Sequence, residues 1–299
     1  MSGVKVGVAS QPLPTLAGAL HTGRPAWSRL LHDRTAAAGV VVVTLLTASA
    51  MLAPWLSPYD PDAVDIVGKL AGPSREHLLG TDELGRDVLS RVLFGGRVSL
   101  ATTVVVAAAI SLIGVAVGAV AGFFGGRVDA AISRLVDVML ALPSFLLALA
   151  VTAALGSGLG NVLLAAALTW WAAYARVVRA AVLTEREKAY VEAARALGTT
   201  ESRILARHVL PNVVGPLVVL TTLELGSVLL GLTAFSFLGL GVRQPTAEWG
   251  AMLDGARAHV GEAPHLMLAP GVCIFLVVLG CNLVGDGLRD ALDPHGRRR

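Results

Sequence analysis

The chain has 299 residues, 55% of them hydrophobic and only 15% charged, with a net charge of +3 and a mean hydropathy of +0.70. A soluble domain carries roughly 25% charged residues, so the composition excludes an ordinary soluble domain. The apolar residues cluster in runs of about 20 or more, long enough for helices to cross a bilayer. They lack the alternation of a membrane barrel, so the expected fold is an all-α integral membrane protein.

Six spans are expected, beginning with Thr35–Leu56. Ala48-Ser49-Ala50 resembles a signal-peptide cleavage site, but the apolar core is too long and a tail, 1–34, precedes it. An uncleaved span fits better. Residues 57–97 then form a loop with Asp60, Asp62, Asp65, Glu76, Asp82, Glu83 and Asp87 against Lys69, Arg75, Arg86, Arg91 and Arg97. Mixed charge at this density reads as a solvated surface, and a docking face for a partner is the alternative.

The second span, Val98–Phe124, carries Gly114, Gly118 and Gly122, with Gly126 continuing the interval of four. Small residues so spaced let helix backbones approach closely, which predicts a packing face. Leu135–Leu155 is the third span, and Asp137 can pair with Arg134 one helical turn away. In the fourth, Val162–Leu183, Arg176 and Arg179 lie near one end and are expected to snorkel to the interface.

Between the fourth and fifth spans lies a polar, helix-prone loop, 184–211. Thr184 followed by Glu187 is a capping-box pattern that predicts a helix start near Thr184. Ala193, Ala194, Ala196 and Leu197 sustain the helix and Gly198 ends it. Thr199 or Thr200 caps a second short helix through Val209, and Pro211 precedes the next span. The product is a helix–turn–helix along one membrane face. On physics alone, a docking surface and an amphipathic helix resting on the bilayer are both open.

The fifth span, Val213–Val242, contains Glu224, the clearest ionisable residue deep in a span. Such a carboxylate faces a bundle interior or an aqueous path, so Glu224 is a candidate for the translocation path, against a structural hydrogen-bonding role. The sixth span, His265–Val284, holds Cys273 and Cys281, which suit buried small apolar residues better than a disulfide framework. Of the 24 basic residues, only Lys69, Arg75, Arg86, Arg91, Arg97, Arg243 and Arg257 fall on one side of the six spans. The rest fall on the other, so the positive-inside rule makes both termini and the 184–211 loop cytoplasmic.

No phosphate-binding Gly-x-x-x-x-Gly-Lys-Ser/Thr loop, His-Glu-x-x-His or Gly-x-Ser-x-Gly occurs. No catalytic, cofactor-binding or metal residues are expected. A secondary carrier driven through Glu224 would carry more intramembrane charge and often an inverted repeat, and a membrane enzyme would need a convergent reactive constellation.

Glu192-Ala193-Ala194, three residues, Gly198 and then Leu210-Pro211 resemble the EAA loop of ATP-binding cassette (ABC) importer permeases, departing at His208, where many members have isoleucine. Gly80-Thr81-Asp82-Glu83-Leu84-Gly85-Arg86-Asp87 with Val88-Leu89-Ser90-Arg91 resembles the segment after the first span in the second permease subunit of dipeptide and oligopeptide importers. Glu248-Trp249-Gly250-Ala251-Met252-Leu253 is similar to an outer loop of that subunit. The resemblance runs from about Thr35 to Pro294.

It implies a type I importer permease in a prokaryotic cytoplasmic membrane. The tails would be 1–34 and 290–299, the extracytoplasmic loop 57–97, and the permease core 98–289 with five transmembrane helices. The loop would be a cytoplasmic coupling helix seated in a groove on an ATPase, with Glu192, Ala193, Ala194, Gly198, Leu210 and Pro211 as its coupling residues. ATP and Mg would sit on two ATPase subunits or domains and not on this chain. The other implied partners are a homologous permease in a heterodimer and an extracytoplasmic peptide-binding protein, with no nucleic acid. Peptides are the implied substrates, and nickel chelates or other small solutes are handled by similar permeases.

Overall fold

Caps and helix breakers decide where this chain's helices begin and end. The computed structural model describes residues 33–292, so most of both expected tails, with Lys5, Arg24, Arg29, Pro294 and Arg297 to Arg299, lies outside the described residues. The Asp33 carboxylate accepts from the Thr35 amide at 3.0 Å and starts α1, Arg34–Met51. A single turn, α2 (Ala53–Leu56), follows. Asp87 then caps α3, Val88–Phe124, accepting from the Ser90 amide at 2.8 Å. At 37 residues, α3 is about 55 Å long. It begins ten residues before the expected Val98, and its length exceeds the hydrocarbon core of about 30 Å.

Gly125, with φ of 67°, ends α3, and α4 (Gly126–Ala141) and α5 (Ser144–Leu155) follow. The expected continuous third span is corrected here, because α4 and α5 meet at an 86° bend. Pro143 is the cause: it lacks an amide proton and disfavours helix in the residue before it, and Leu142 is extended. The remaining helices are α6 (Leu159–Arg186), α7 (Ala189–Ala196), α8 (Glu201–Ile204), α9 (Leu210–Phe237), α10 (Trp249–Ala256) and α11 (His265–Leu292). Among the described residues, five helical stretches are long and apolar enough to cross a membrane, and the bent α4–α5 pair makes six if it counts as one span.

The principal seam of the bundle is α3 against α6. A Cβ on Gly114 would stand 2.8 Å from the Tyr174 side chain, on Gly118 2.5 Å from the Ala175 carbonyl oxygen, and on Gly122 2.7 Å from that of Arg179. The glycine face is therefore a packing face, as its spacing indicates. Gly126 is not part of it: its φ is 55°, it opens α4, and nothing lies within 4 Å of its added Cβ. A second seam went unnoticed in the sequence. Gly39 of α1 packs on the Gly280 carbonyl of α11, at 2.8 Å for an added Cβ.

The charged loop before α3 is solvated in its first part, where Asp60, Asp62, Asp65, Lys69, Arg75 and Glu76 are exposed, but not in the stretch that leads into the helix. Asp82, Arg86, Asp87 and Arg91 are buried. Arg86 Nε donates to Asp82 Oδ2 at 2.7 Å, Arg86 Nη1 to Gln244 Oε1 at 3.2 Å, and Arg91 Nη2 to the Pro245 carbonyl at 3.2 Å. Glu248 caps α10, accepting from the Gly250 and Ala251 amides at 2.9 Å each and from Ser99 Oγ at 3.0 Å. The segments before α3 and before α10 are thus fastened to each other and to α3. Neutralising Asp82 or Asp87 breaks buried pairs, so such variants probe folding and not the docking of a partner.

Candidate functional site

The polar loop is built onto the bundle by one buried face. Its first expected boundary is corrected: α6 continues to Arg186, and Thr184 Oγ1 donates back to the Ala180 carbonyl at 3.2 Å without forming the Thr184–Glu187 box. Arg186 makes the longer helix favourable, because its Nη1 donates to the carbonyls of Gly122 and Phe123, at 2.8 and 3.1 Å. Those are free acceptors at the end of α3.

Helix α7 ends where expected. Gly198 has φ of 78°, its amide donates to the Arg195 carbonyl at 2.9 Å, and the Thr199 amide donates to that of Ala194 at 3.1 Å. This pair of bonds is a Schellman closure, with Gly198 in the left-handed position that suits glycine. Arg195 grips Glu201 across the turn at 2.8 and 3.1 Å. Thr200 precedes α8 in an extended conformation, without a side-chain cap bond. The second helix does not stop before Pro211. It passes through a π turn, Leu205–Val209, directly into α9. Pro211, which has no amide proton to donate, falls two residues past the π turn.

Val191, Ala194, Ile204 and Val209 are buried against Phe123, Val178, Val182 and Val213. Of the expected coupling residues, Ala194 (9% exposed) therefore faces the bundle and Leu210 is half-buried, while Glu192, Ala193, Gly198 and Pro211 are exposed. Leu197, which was not singled out as a contact, stands 85% exposed beside them. The free face of α7 and its turn thus combines a carboxylate, small alanines and one large apolar side chain.

A polar cluster joins this loop to both flanking helices. Tyr190 donates its hydroxyl to Glu185 Oε1 at 2.6 Å, Lys188 Nζ lies 2.7 Å from Glu185 Oε2, and Asn212 Nδ2 donates to the Tyr190 hydroxyl at 3.1 Å and to the His208 carbonyl at 2.7 Å. Sequence reasoning missed Glu185, Tyr190 and Asn212. The available signal was a carboxylate at a span end beside a tyrosine and an asparagine bracketing the loop. Tyr190→Phe is expected to lower stability by about 1 kcal/mol, the net worth of a hydrogen bond, measured as an earlier thermal transition of the solubilised protein.

Two further expectations change. Asp137 pairs with Arg176 Nη2 of α6 at 2.6 Å and not with Arg134, and Arg179 forms a two-pronged pair with Asp129. Both arginines therefore tie α6 to α4 instead of snorkelling free, because a carboxylate on the neighbouring helix is within reach. Tyr174 likewise binds the Leu217 carbonyl at 3.0 Å, joining α6 to α9.

Glu224 stands midway along α9, about 20 Å of helix from either end. It lines a cavity of about 380 Å³ with residues of α3, α5 and α6, including Trp170 and Tyr174. Its carboxylate has no hydrogen-bond or ion-pair partner among the described residues. An unpaired charge at mid-bilayer costs about 3 kcal/mol on insertion scales, so a structural hydrogen-bonding role finds no support. Among the described residues no group of three or more His, Cys, Asp and Glu could hold a metal ion.

Comparison with known proteins places this architecture. Residues 114–298 match the model of the binding-protein-dependent transport system inner membrane component family, and residues 23–73 match the N-terminal transmembrane domain of oligopeptide transport permease C. A nickel transport system permease protein, NikC, of Escherichia coli K12 is 42% identical over 86% of this chain and 92% of its own length. A di/tripeptide transport system permease protein, DppC, of Pseudomonas aeruginosa is 46% identical over 90% of each chain. A glutathione transport system permease protein, GsiD, of Pectobacterium atrosepticum is 44% identical over 91% of this chain and 90% of its own. With its all-helical bundle and loop 184–211 docked on α3, α6 and α9, this chain belongs to the family of inner membrane components of binding-protein-dependent transport systems, the permeases of ABC importers.

Proposed function

We propose that the chain is the permease subunit of an importer that carries peptides inward. It pairs with a homologous permease as a heterodimer and receives an extracytoplasmic peptide-binding protein on its outer segments. Two ATPase subunits or domains hold ATP and Mg and hydrolyse the nucleotide, and this chain is not itself an enzyme. Both termini and α7 are cytoplasmic. Glu192, Ala193 and Gly198 meet the ATPase; Ala194, Leu210 and Pro211 pass its movement into the bundle.

The observation that carries the reading is the division of α7 into two faces. One face is locked by Val191 and Ala194 into the core shared by α3, α6 and α9, while the other is exposed. A push on the exposed face therefore reaches three membrane helices at once. The peptide assignment rests on the relatives named for di/tripeptides and glutathione.

Gentle solubilisation and affinity capture of the tagged chain is expected to recover an ATPase and a second permease, and reconstitution with them should give ATP-dependent dipeptide uptake. Uptake by the purified chain alone would overturn the reading. So would labelling of cysteines at positions 192 and 198 from the outer face of intact cells.

A further inference from the structure

The cavity around Glu224 has the chemistry of a ligand site. Its volume of about 380 Å³ lies within the range of small-ligand pockets. Glu224 is the one charged residue among those lining it, and Phe145, Trp170 and Tyr174 supply aromatic walls. The Tyr174 hydroxyl is already engaged with Leu217, and Trp170 Nε1 donates to the Ser144 carbonyl at 3.3 Å. The rings therefore offer apolar faces and not hydrogen-bond donors. One carboxylate in a cavity lined by aromatic side chains suits a compact monovalent cation, which gains from the charge and from any ring face it meets. It suits a bare transition metal ion poorly, because such ions take several ligands in a fixed geometry.

We propose that this cavity binds the primary ammonium group of a transported solute, such as the free amino terminus of a peptide, with Glu224 as its counter-charge. The site deepens the importer reading and rests on it for the identity of the solute. It makes the permease itself a contributor to selection. A solute with a free amine replaces the missing partner of Glu224 at mid-membrane, whereas a solute with a blocked amine leaves that carboxylate unpaired.

Ser227 is exposed, lines the same cavity and lies one helical turn from Glu224, so a cysteine there reports on the site. In membranes holding the full-length chain with Cys273 and Cys281 replaced by alanine, Ser227→Cys is labelled with a trimethylammonium-bearing or a sulfonate-bearing methanethiosulfonate. The cationic reagent is expected to be preferred about tenfold more than it is on free mercaptoethanol, as a carboxylate a few ångströms away dictates in a partly aqueous site. Adding Glu224→Gln should erase that preference and Glu224→Asp should keep it. Phenethylammonium should slow labelling at least threefold in the Glu224 protein, and phenethyl alcohol should not.

No reaction with either reagent, a preference that survives Glu224→Gln, or equal protection by amine and alcohol would each overturn the site. These readouts require no transport. A cation-selective cavity in a protein that recovers no ATPase would leave the site standing and remove the importer reading. The opposite pattern would do the reverse.

Discussion

Gly198→Val is expected to cut uptake by the assembled importer at least about tenfold while ATP hydrolysis continues. The reason lies in the backbone and not in crowding. An added Cβ at Gly198 meets nothing within 4 Å, yet φ there is 78°. A β-branched residue in that conformation costs about 1–3 kcal/mol, enough to unwind the Schellman closure made through the Gly198 and Thr199 amides. Every 1.4 kcal/mol is about a tenfold change in the population of the closed turn. The substitution therefore displaces Leu197 and the exposed rim of α7, and leaves Val191 and Ala194 seated in the core. A graded series separates this from a generic defect. Asn tolerates the left-handed conformation best among non-glycine residues, so Gly198→Asn should retain most uptake, Gly198→Ala less, and Gly198→Val least. Glu192→Lys should reproduce the uncoupling by another route, reversing a charge in the first turn of α7, where the helix dipole favours an acid. Wild-type uptake in both Gly198→Val and Glu192→Lys would remove the coupling role.

What the sequence made legible was whatever depends on local spacing. The glycine interval in α3 announced a packing face, and Gly198 announced the end of α7, because backbone sterics at one residue suffice for both. What it concealed depends on partners distant in the chain. Asp137 had Arg134 in reach along its own helix, but Arg176, 39 residues away, takes it at 2.6 Å. Ala194 reads as surface beside Glu192 until Ile204 and Val209 fold over it. Arg86 and Arg91 read as solvated along with the exposed charges before them, because the loop carrying Gln244 and Pro245, which bonds both, lies far downstream. The bend at Pro143 is different in kind. Its signal was local and present, but hydropathy averaged over Leu135–Leu155 hides a proline that separates two short helices.

Gly118→Leu is expected to destabilise the protein by about 3 kcal/mol, the upper part of the range for overpacking a close-packed seam. A Cβ at Gly118 would sit 2.5 Å from the Ala175 carbonyl oxygen, 2.8 Å from Val178 Cβ and 3.1 Å from the Arg179 amide nitrogen. Two of those three atoms are backbone, so no side-chain rotation relieves the clash and α6 must move away from α3. That separation strains everything fastened along the same seam: the Arg186 bonds to the Gly122 and Phe123 carbonyls, and Phe123 where it packs on Val182 and Val191 beneath α7. Gly118→Ala places only the Cβ in conflict and should fall between wild type and Gly118→Leu. Gly160→Ala, at a position with nothing within 4 Å of its Cβ, is the control. It should match wild type or exceed it, since alanine is the better helix former. Monodisperse protein surviving a temperature ramp in detergent is the measurement, with the ordering Gly160→Ala, Gly118→Ala, Gly118→Leu expected from most to least stable. If Gly118→Leu survived heating as well as Gly160→Ala, the α3–α6 seam would not be the close contact that holds the coupling loop in place. The proposed transmission of movement from α7 into the bundle would then have to run through α9 alone.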